Sequence, residues 1–148
     1  MNKINLQDKT RAQVGRIEKY WFENLTIGLA NTLFHRITIP LSPFDSELTY
    51  VKQPETTELV FEWYELSLQD PNFLDGLDLS SNKYPNSECS VYIGSAHNWC
   101  NVIRLELSII NKQRYNISAE LDVDFESEGV GENEPFYFQT EAEFVPIM

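Results

Sequence analysis

The strongest constraint on the fold is a strict alternation of apolar and polar residues near the C-terminal end. In RYNISAELDVDFE, residues 114–126, every second residue from Tyr115 to Phe125 is apolar, and the residues between them are polar or acidic. Because side chains alternate between the two faces of a strand, this period indicates an antiparallel sheet with one buried and one wet face. WCNVIRLELSII and PFYFQTEAEF continue the pattern. The sequence therefore predicts a three-strand meander over 99–110, 114–126 and 135–145.

The N-terminal quarter of the chain shows a different period. Six apolar residues recur at steps of three and four, which is the spacing of one helical face: Val14, Ile17, Trp21, Leu25, Leu29 and Leu33. The segment TRAQ, residues 10–13, has the form of a capping box at the start of a helix. We therefore predict one long helix over about residues 8–33.

Between these regions the sequence predicts three further strands, over about 35–41, 56–68 and 88–93, with a bulge near Glu65 in the second. The expected fold is α+β, a single domain over 1–148 with the N-terminal helix packed on one face of a curved antiparallel sheet. This arrangement has the general outline of cystatin-like and NTF2-like folds, as an analogy of fold only.

The stretch SVYIGSAHNWCNVI raises a question of strand register. A tight turn at Gly94 and Ser95 would place Cys89 directly opposite Cys100. A five-residue loop, GSAHN, would instead pair Cys89 with Ile103 and put the large apolar side chains on one face. Since a one-residue slip moves every side chain to the other face, we predict the five-residue loop.

The same stretch could in principle carry metal or thiol chemistry. Cys89, His97 and Cys100, joined by His35, could make a Cys₂His₂ zinc set, but the paired Cys-x₂₋₄-Cys knuckle of structural zinc sites is absent from the sequence. A Cys–His nucleophile would need an orienting group and an oxyanion hole that the sequence does not reveal. We predict no metal site, no cofactor and no catalytic residue, and expect both cysteines to remain thiols.

The net charge of −12 is unevenly distributed. Residues 115–148 contain nine acids and no Lys or Arg, whereas residues 1–36 contain six bases and three acids. On the predicted strands, seven carboxylates share the wet face: Glu106, Glu120, Asp122, Asp124, Glu126, Glu141 and Glu143. Like charges facing each other across a sheet destabilise it, so we interpret this face as a binding surface for a basic protein. Its field would repel nucleic acid and anionic membrane.

Aromatic residues indicate a second possible site. Trp21 on the predicted helix, with Trp63 and Tyr92 on predicted strands, could line a helix–sheet pocket. The first functional hypothesis is an acidic protein-binding module, such as an immunity protein or an inhibitor of a basic toxin or nuclease. The alternative is a small-molecule-binding or enzymatic domain that uses the pocket. A homodimer through the sheet is a third hypothesis. Without an apolar leader or a long apolar run, we expect a cytoplasmic protein.

Overall fold

The computed structural model describes residues 2–145, and nearly all of its regular structure is sheet. Seven strands form a closed barrel in chain order. They are β1 (Gly15–Asn24), β2 (Leu29–Pro40), β3 (Glu58–Tyr64), β4 (Glu88–Ile93), β5 (Ala96–Asn111), β6 (Arg114–Val123) and β7 (Glu134–Phe144). Within the described residues, helical structure is limited to a short helix, α1 (Leu6–Lys9), and a 3-10 turn at Leu25–Ile27. The prediction of a sheet-rich chain is confirmed, and the α+β fold class is wrong.

The predicted helix over 8–33 is replaced by a β-hairpin. β1 and β2 pair antiparallel along most of their length, with a register shift between Phe22 and Asn24. Of the six apolar residues at helical spacing, only Ile17 is buried, so they do not form one apolar face. Gly28, at φ 78, completes the turn between the two strands in a conformation that favours glycine.

The barrel closes through a parallel pair of strands. Each strand from β1 to β7 is antiparallel to the next, so the seventh strand runs in the same direction as the first. β1 and β7 therefore pair in parallel, with Gly15, Arg16 and Ile17 opposite residues 142–144. We call this short pairing the seam.

A segment before β1 supplies the partners that β7 lacks beyond the seam. The carboxylate of Glu134 accepts hydrogen bonds from the backbone N–H groups of Asn5 and Leu6, at 2.8 and 2.9 Å. The side-chain amide of Gln7 both donates to and accepts from the backbone of Tyr137, at 2.9 and 2.7 Å. We call residues 2–13 the strap, because they hold the outer edge of β7 much as a further strand would.

The turn between β4 and β5 differs from the predicted one. Gly94 and Ser95 both have positive φ, 66 and 59, as a two-residue type I′ turn requires. Cys89 lies opposite Cys100. The five-residue loop that paired Cys89 with Ile103 is therefore wrong.

A bulge in β5 explains why the tight turn is compatible with a single core. The pairing of β5 with β6 shifts between Val102 and Arg104, so the extra residue, Ile103, changes the phase of the side chains. Val102 and Leu105 are both buried, and Ile103 is 44% exposed. Each half of β5 therefore directs its own apolar set inward.

Two long connections pack against the barrel and add side chains to its core. The connection from β2 to β3 contributes the buried side chains of Phe44 and Leu48. In the connection from β3 to β4, the backbone N–H of Leu79 donates to the carbonyl of Leu105 at 2.8 Å, alongside the part of β5 that extends past β4. The hydroxyl of the buried Tyr64 donates to the carbonyl of Leu79 at 2.8 Å. The core thus lies inside the barrel and under these connections.

Closure at the seam should depend on the missing side chain of Gly15. A Cβ there would lie 2.5 Å from both the carbonyl oxygen of Thr38 and Cδ1 of Ile39, whereas a Cβ at Gly28 would meet nothing within 4 Å. We expect Gly15→Ala to lower the free energy of unfolding by roughly 2–3 kcal/mol through overpacking. Gly28→Ala should cost about 1 kcal/mol, from its left-handed backbone alone. Urea unfolding of both variants tests this, and an equal loss would contradict it.

The strap should depend on the Glu134 carboxylate. Glu134→Ala leaves two backbone N–H groups without their charged acceptor, and we expect a loss of about 1–3 kcal/mol. Glu132→Ala is the matched control, since among residues 2–145 its carboxylate makes only an exposed ion pair with Lys3 at 3.8 Å, worth less than about 1 kcal/mol. Urea unfolding again provides the measurement. A loss in Glu134→Ala no larger than in the control would show that the strap does not hold β7.

Candidate functional site

Of the seven carboxylates that the sequence predicts on one face, five lie on strands of the barrel and two lie in the connection after β6. Glu120 and Asp124 are half-buried and the other five are exposed. Five of the seven lie on adjacent strands: Glu106 on β5, Glu120 and Asp122 on β6, and Glu141 and Glu143 on β7. We call these five residues the acidic face.

Arginine side chains interrupt the acidic face. Arg104 lies opposite Glu120, and its Nη1 is 3.4 Å from Oε1 of Glu106. Arg114 lies opposite Glu143, and its Nε is 3.7 Å from Oε1 of Glu141. Arg16 is opposite Glu143 on the other side, at the seam. Because carboxylates outnumber guanidinium groups, the face keeps a net negative charge. The arginines offset much of the repulsion between the carboxylates.

The remaining two carboxylates belong to the connection from β6 to β7. Asp124 accepts hydrogen bonds from the hydroxyl and the backbone N–H of Ser127, and these bonds hold the pKa of Asp124 below its usual value. Glu126 exchanges backbone and side-chain hydrogen bonds with Asn133, at 2.9 and 3.1 Å. Asp124 and Glu126 thus shape the connection itself, a role that alternation along a strand does not reveal.

The β1–β2 hairpin extends beyond the barrel wall. β7 pairs with β1 only as far as Ile17, and β3 pairs with β2 only from His35 onward. Residues 18–34, which we call the arm, therefore pair only with each other within the described chain. At its tip, Leu25 and Ile27 are 76% and 72% exposed.

One face of the arm carries an aromatic cluster. Tyr20, Phe22 and Phe34 contact Trp63, with ring centroids 5.1–6.0 Å apart. Trp63 has φ 65 and lies where the β2–β3 register shifts, so the predicted bulge occurs at the end of β3, before Glu65. Between this face and the connection before β4 lies an open cleft of about 800 Å³. We call it the aromatic cleft; its lining includes Phe22, Ile27, Leu29, Phe34, Trp63, Glu65, Lys83 and Glu88.

The opposite face of the arm borders a smaller space of about 240 Å³. We call it the slot; its lining includes Trp21, Leu33, His35, Glu65, Leu68 and Pro71. His35 is buried, and its Nε2 donates to the carbonyl of Pro71 at 2.8 Å, so Nδ1 is the unprotonated nitrogen. Burial lowers the pKa of His35.

The three residues of the predicted pocket do not come together. Trp63 lines the aromatic cleft, Trp21 lines the slot on the other face of the arm, and Tyr92 lies on β4 against the ring of His97, 4.8 Å between centroids. The helix that was to form one wall of the pocket is absent from the described chain. The predicted helix also hides the exposed arm tip, because it puts Leu25 on the apolar face that would pack against the sheet.

The two cysteines lie together in the core, and His97 lies on the opposite face of the sheet. Cys89 and Cys100 are buried free thiols in contact across β4 and β5, and burial raises the pKa of Cys89. His97 is exposed, and alternation along β5 puts it on the face opposite Cys100. No group of three or more His, Cys, Asp or Glu residues among residues 2–145 could hold a metal ion.

Comparison with known proteins returned no match among family models, curated proteins or solved structures. In the part of the chain that the structure covers, no helix is both long and apolar enough to cross a membrane.

Burial of His35 should make stability depend on pH. Because the folded-state pKa is lowered below the unfolded value of about 6.5, this residue's contribution to stability is full above that pH. It is lost as the pH falls, since the unfolded chain takes up a proton that the folded chain does not. We expect His35→Gln to lose less unfolding free energy than wild type between about pH 7.5 and 5.5. Urea unfolding at several pH values measures this. His97→Gln, altering an exposed ring, should match wild type, and equal slopes in all three proteins would contradict the prediction.

Proposed function

We propose that this protein is a non-enzymatic protein-binding module that captures a basic partner through the acidic face. The observation that carries the proposal is the placement of five carboxylates on the outer surfaces of three adjacent strands, in a chain of net charge −12. An immunity protein or inhibitor that covers the basic surface of a toxin or nuclease fits this description.

The surroundings of these carboxylates favour binding over catalysis. A carboxyl group that serves as a general acid is usually set in an apolar pocket that raises its pKa. Here Glu106, Asp122 and Glu141 are exposed, and the groups beside them include Arg104 and Arg114. This is the chemistry of a surface that exchanges ion pairs with a partner.

The rigidity of the sheet also supports the proposal. Arg104 donates to the hydroxyl of Ser118 at 2.8 Å and lies within reach of Glu106, so charged side chains are already held in position on paired strands. A fixed negative field steers a cationic protein toward the surface and accelerates association, with a strong dependence on salt. The proposal includes a cytoplasmic location, and the two free thiols facing each other fit a reducing compartment.

Charge reversal on the acidic face tests the proposal. Asp122→Lys combined with Glu141→Lys changes two exposed side chains and spares Asp124, which holds a turn. The partner is first identified by cross-linking in cells and then purified for rate measurements. We expect it to be basic, and we expect its association rate with the double variant to fall at least about tenfold at low salt.

The matched control reverses Glu23 and Glu47, two exposed side chains that lie outside the acidic face. This control makes the same change in net charge, so it should slow association much less. An identical association rate for wild type and Asp122→Lys/Glu141→Lys would rule out the acidic face as the docking surface.

A further inference from the structure

The outer edge of β2 in the arm has no strand beside it. β3 pairs with β2 from His35 to Pro40, so along residues 29–34 the backbone groups that point away from β1 have no strand partner within residues 2–145. Natural edge strands are commonly protected by lysine, proline or a covering segment. The edge sequence here, LANTLF, contains neither lysine nor proline. An edge of this kind can accept an added strand.

The two spaces described above flank this edge on opposite sides. Phe34 lines the aromatic cleft, whereas Leu33, the residue before it on β2, lines the slot. Glu65, which follows the end of β3, lines both. Successive side chains of an added strand point to opposite faces, so one set would enter the aromatic cleft and the other the slot.

We propose that an extended segment of a partner protein adds to the sheet along residues 29–34 of β2, with its apolar side chains entering the aromatic cleft and its basic side chains directed to the slot, where Glu65 lies. The aromatic cleft offers Phe22, Phe34 and Trp63 to a large apolar side chain. Its charged lining is Glu65 and Glu88 against Lys83, so charge complementarity selects a cationic segment. This inference does not depend on the acidic face, which lies on β5–β7.

A second copy of the chain is a poorer occupant than a cationic segment. In antiparallel pairing of two β2 edges, Leu29 of one copy would lie opposite Phe34 of the other, so each Glu65 would meet the uncharged Leu29 end of the other copy. The edge sequence also supplies no basic side chain to meet Glu65 or Glu88. A segment that alternates apolar residues with lysine or arginine supplies apolar side chains for the aromatic cleft and positive charges for Glu65 and Glu88.

Selection from a random 12-residue peptide library displayed on phage tests the proposal directly. We expect wild-type protein to enrich peptides with large apolar residues at every second position and Lys or Arg between them. Synthetic versions of the enriched peptides should bind in a 1:1 complex. Failure to enrich any sequence, or enrichment of sequences without basic residues, would overturn the proposal.

Two variants locate the binding site, each with a matched control. Ile27→Ser alters the lining of the aromatic cleft, and Leu25→Ser alters an equally exposed aliphatic residue at the arm tip outside both linings. Glu65→Lys reverses the charge that both spaces share, and Glu128→Lys reverses an exposed charge beyond β6. We expect Ile27→Ser and Glu65→Lys to weaken peptide binding about tenfold, and both controls to bind like wild type. Equal binding by all four variants would overturn the proposal.

Hydrogen exchange distinguishes strand addition from side-chain docking alone. In the peptide complex, amides within residues 29–34 should exchange markedly more slowly than in the free protein, because the added backbone takes up their edge hydrogen bonds. Unchanged exchange there would overturn the proposal of strand addition.

Gel filtration at two protein concentrations tests whether a second copy of the chain occupies the edge instead. A dimer that Ile27→Ser disrupts would show that it does, and would overturn the proposal. Asp122→Lys/Glu141→Lys should bind the peptides like wild type, so a failure of the acidic-face proposal can be distinguished from a failure of this one.

Discussion

With six antiparallel neighbours in succession, β1 and β7 run in the same direction, and the ring can close only by pairing them in parallel. A parallel pair cannot be joined by a tight turn, so its formation depends on contacts made far along the chain. Two features stabilise this closure. Gly15 lets β1 approach the backbone of β2 at the seam, and the strap satisfies β7 beyond it through Glu134 and Gln7.

The shortness of the seam also determines which surfaces the barrel presents. Because β7 leaves β1 at Ile17 and β3 reaches β2 only at His35, the arm projects from the wall with a free backbone edge. The acidic face lies on β5–β7, at a different part of the ring. One surface offers charge on a rigid wall, and the other offers aromatic side chains beside an unpaired strand. The two can therefore engage different features of a partner.

Sequence patterns succeeded where the phase of the side chains is unbroken and failed where it changes. β6 pairs with β7 without a register shift, so alternation correctly located these strands and directed the carboxylates outward. In β5 the bulge at Ile103 reverses the phase, and a fixed period of two cannot represent it. The prediction for the arm was wrong for another reason. It carries apolar residues on both faces, with Trp21 and Leu33 on one and Phe22 and Phe34 on the other, so alternation disappears and a helical period fits by coincidence. On β5 and β6, the same alternation directs Arg104 to the face of Glu106 and Arg114 to the face of Glu120, so the sequence does predict arginine side chains within the acidic face.

The separation of the arm from the barrel wall affects how the sequence of the arm can change during evolution. Beyond Phe22 and before Thr32, the hairpin contributes no fully buried side chain to the core. Substitutions there alter shape and chemistry at the tip but change the free energy of unfolding of the barrel very little. Selection for a new target could therefore act on these few positions without the compensating changes that a buried residue demands.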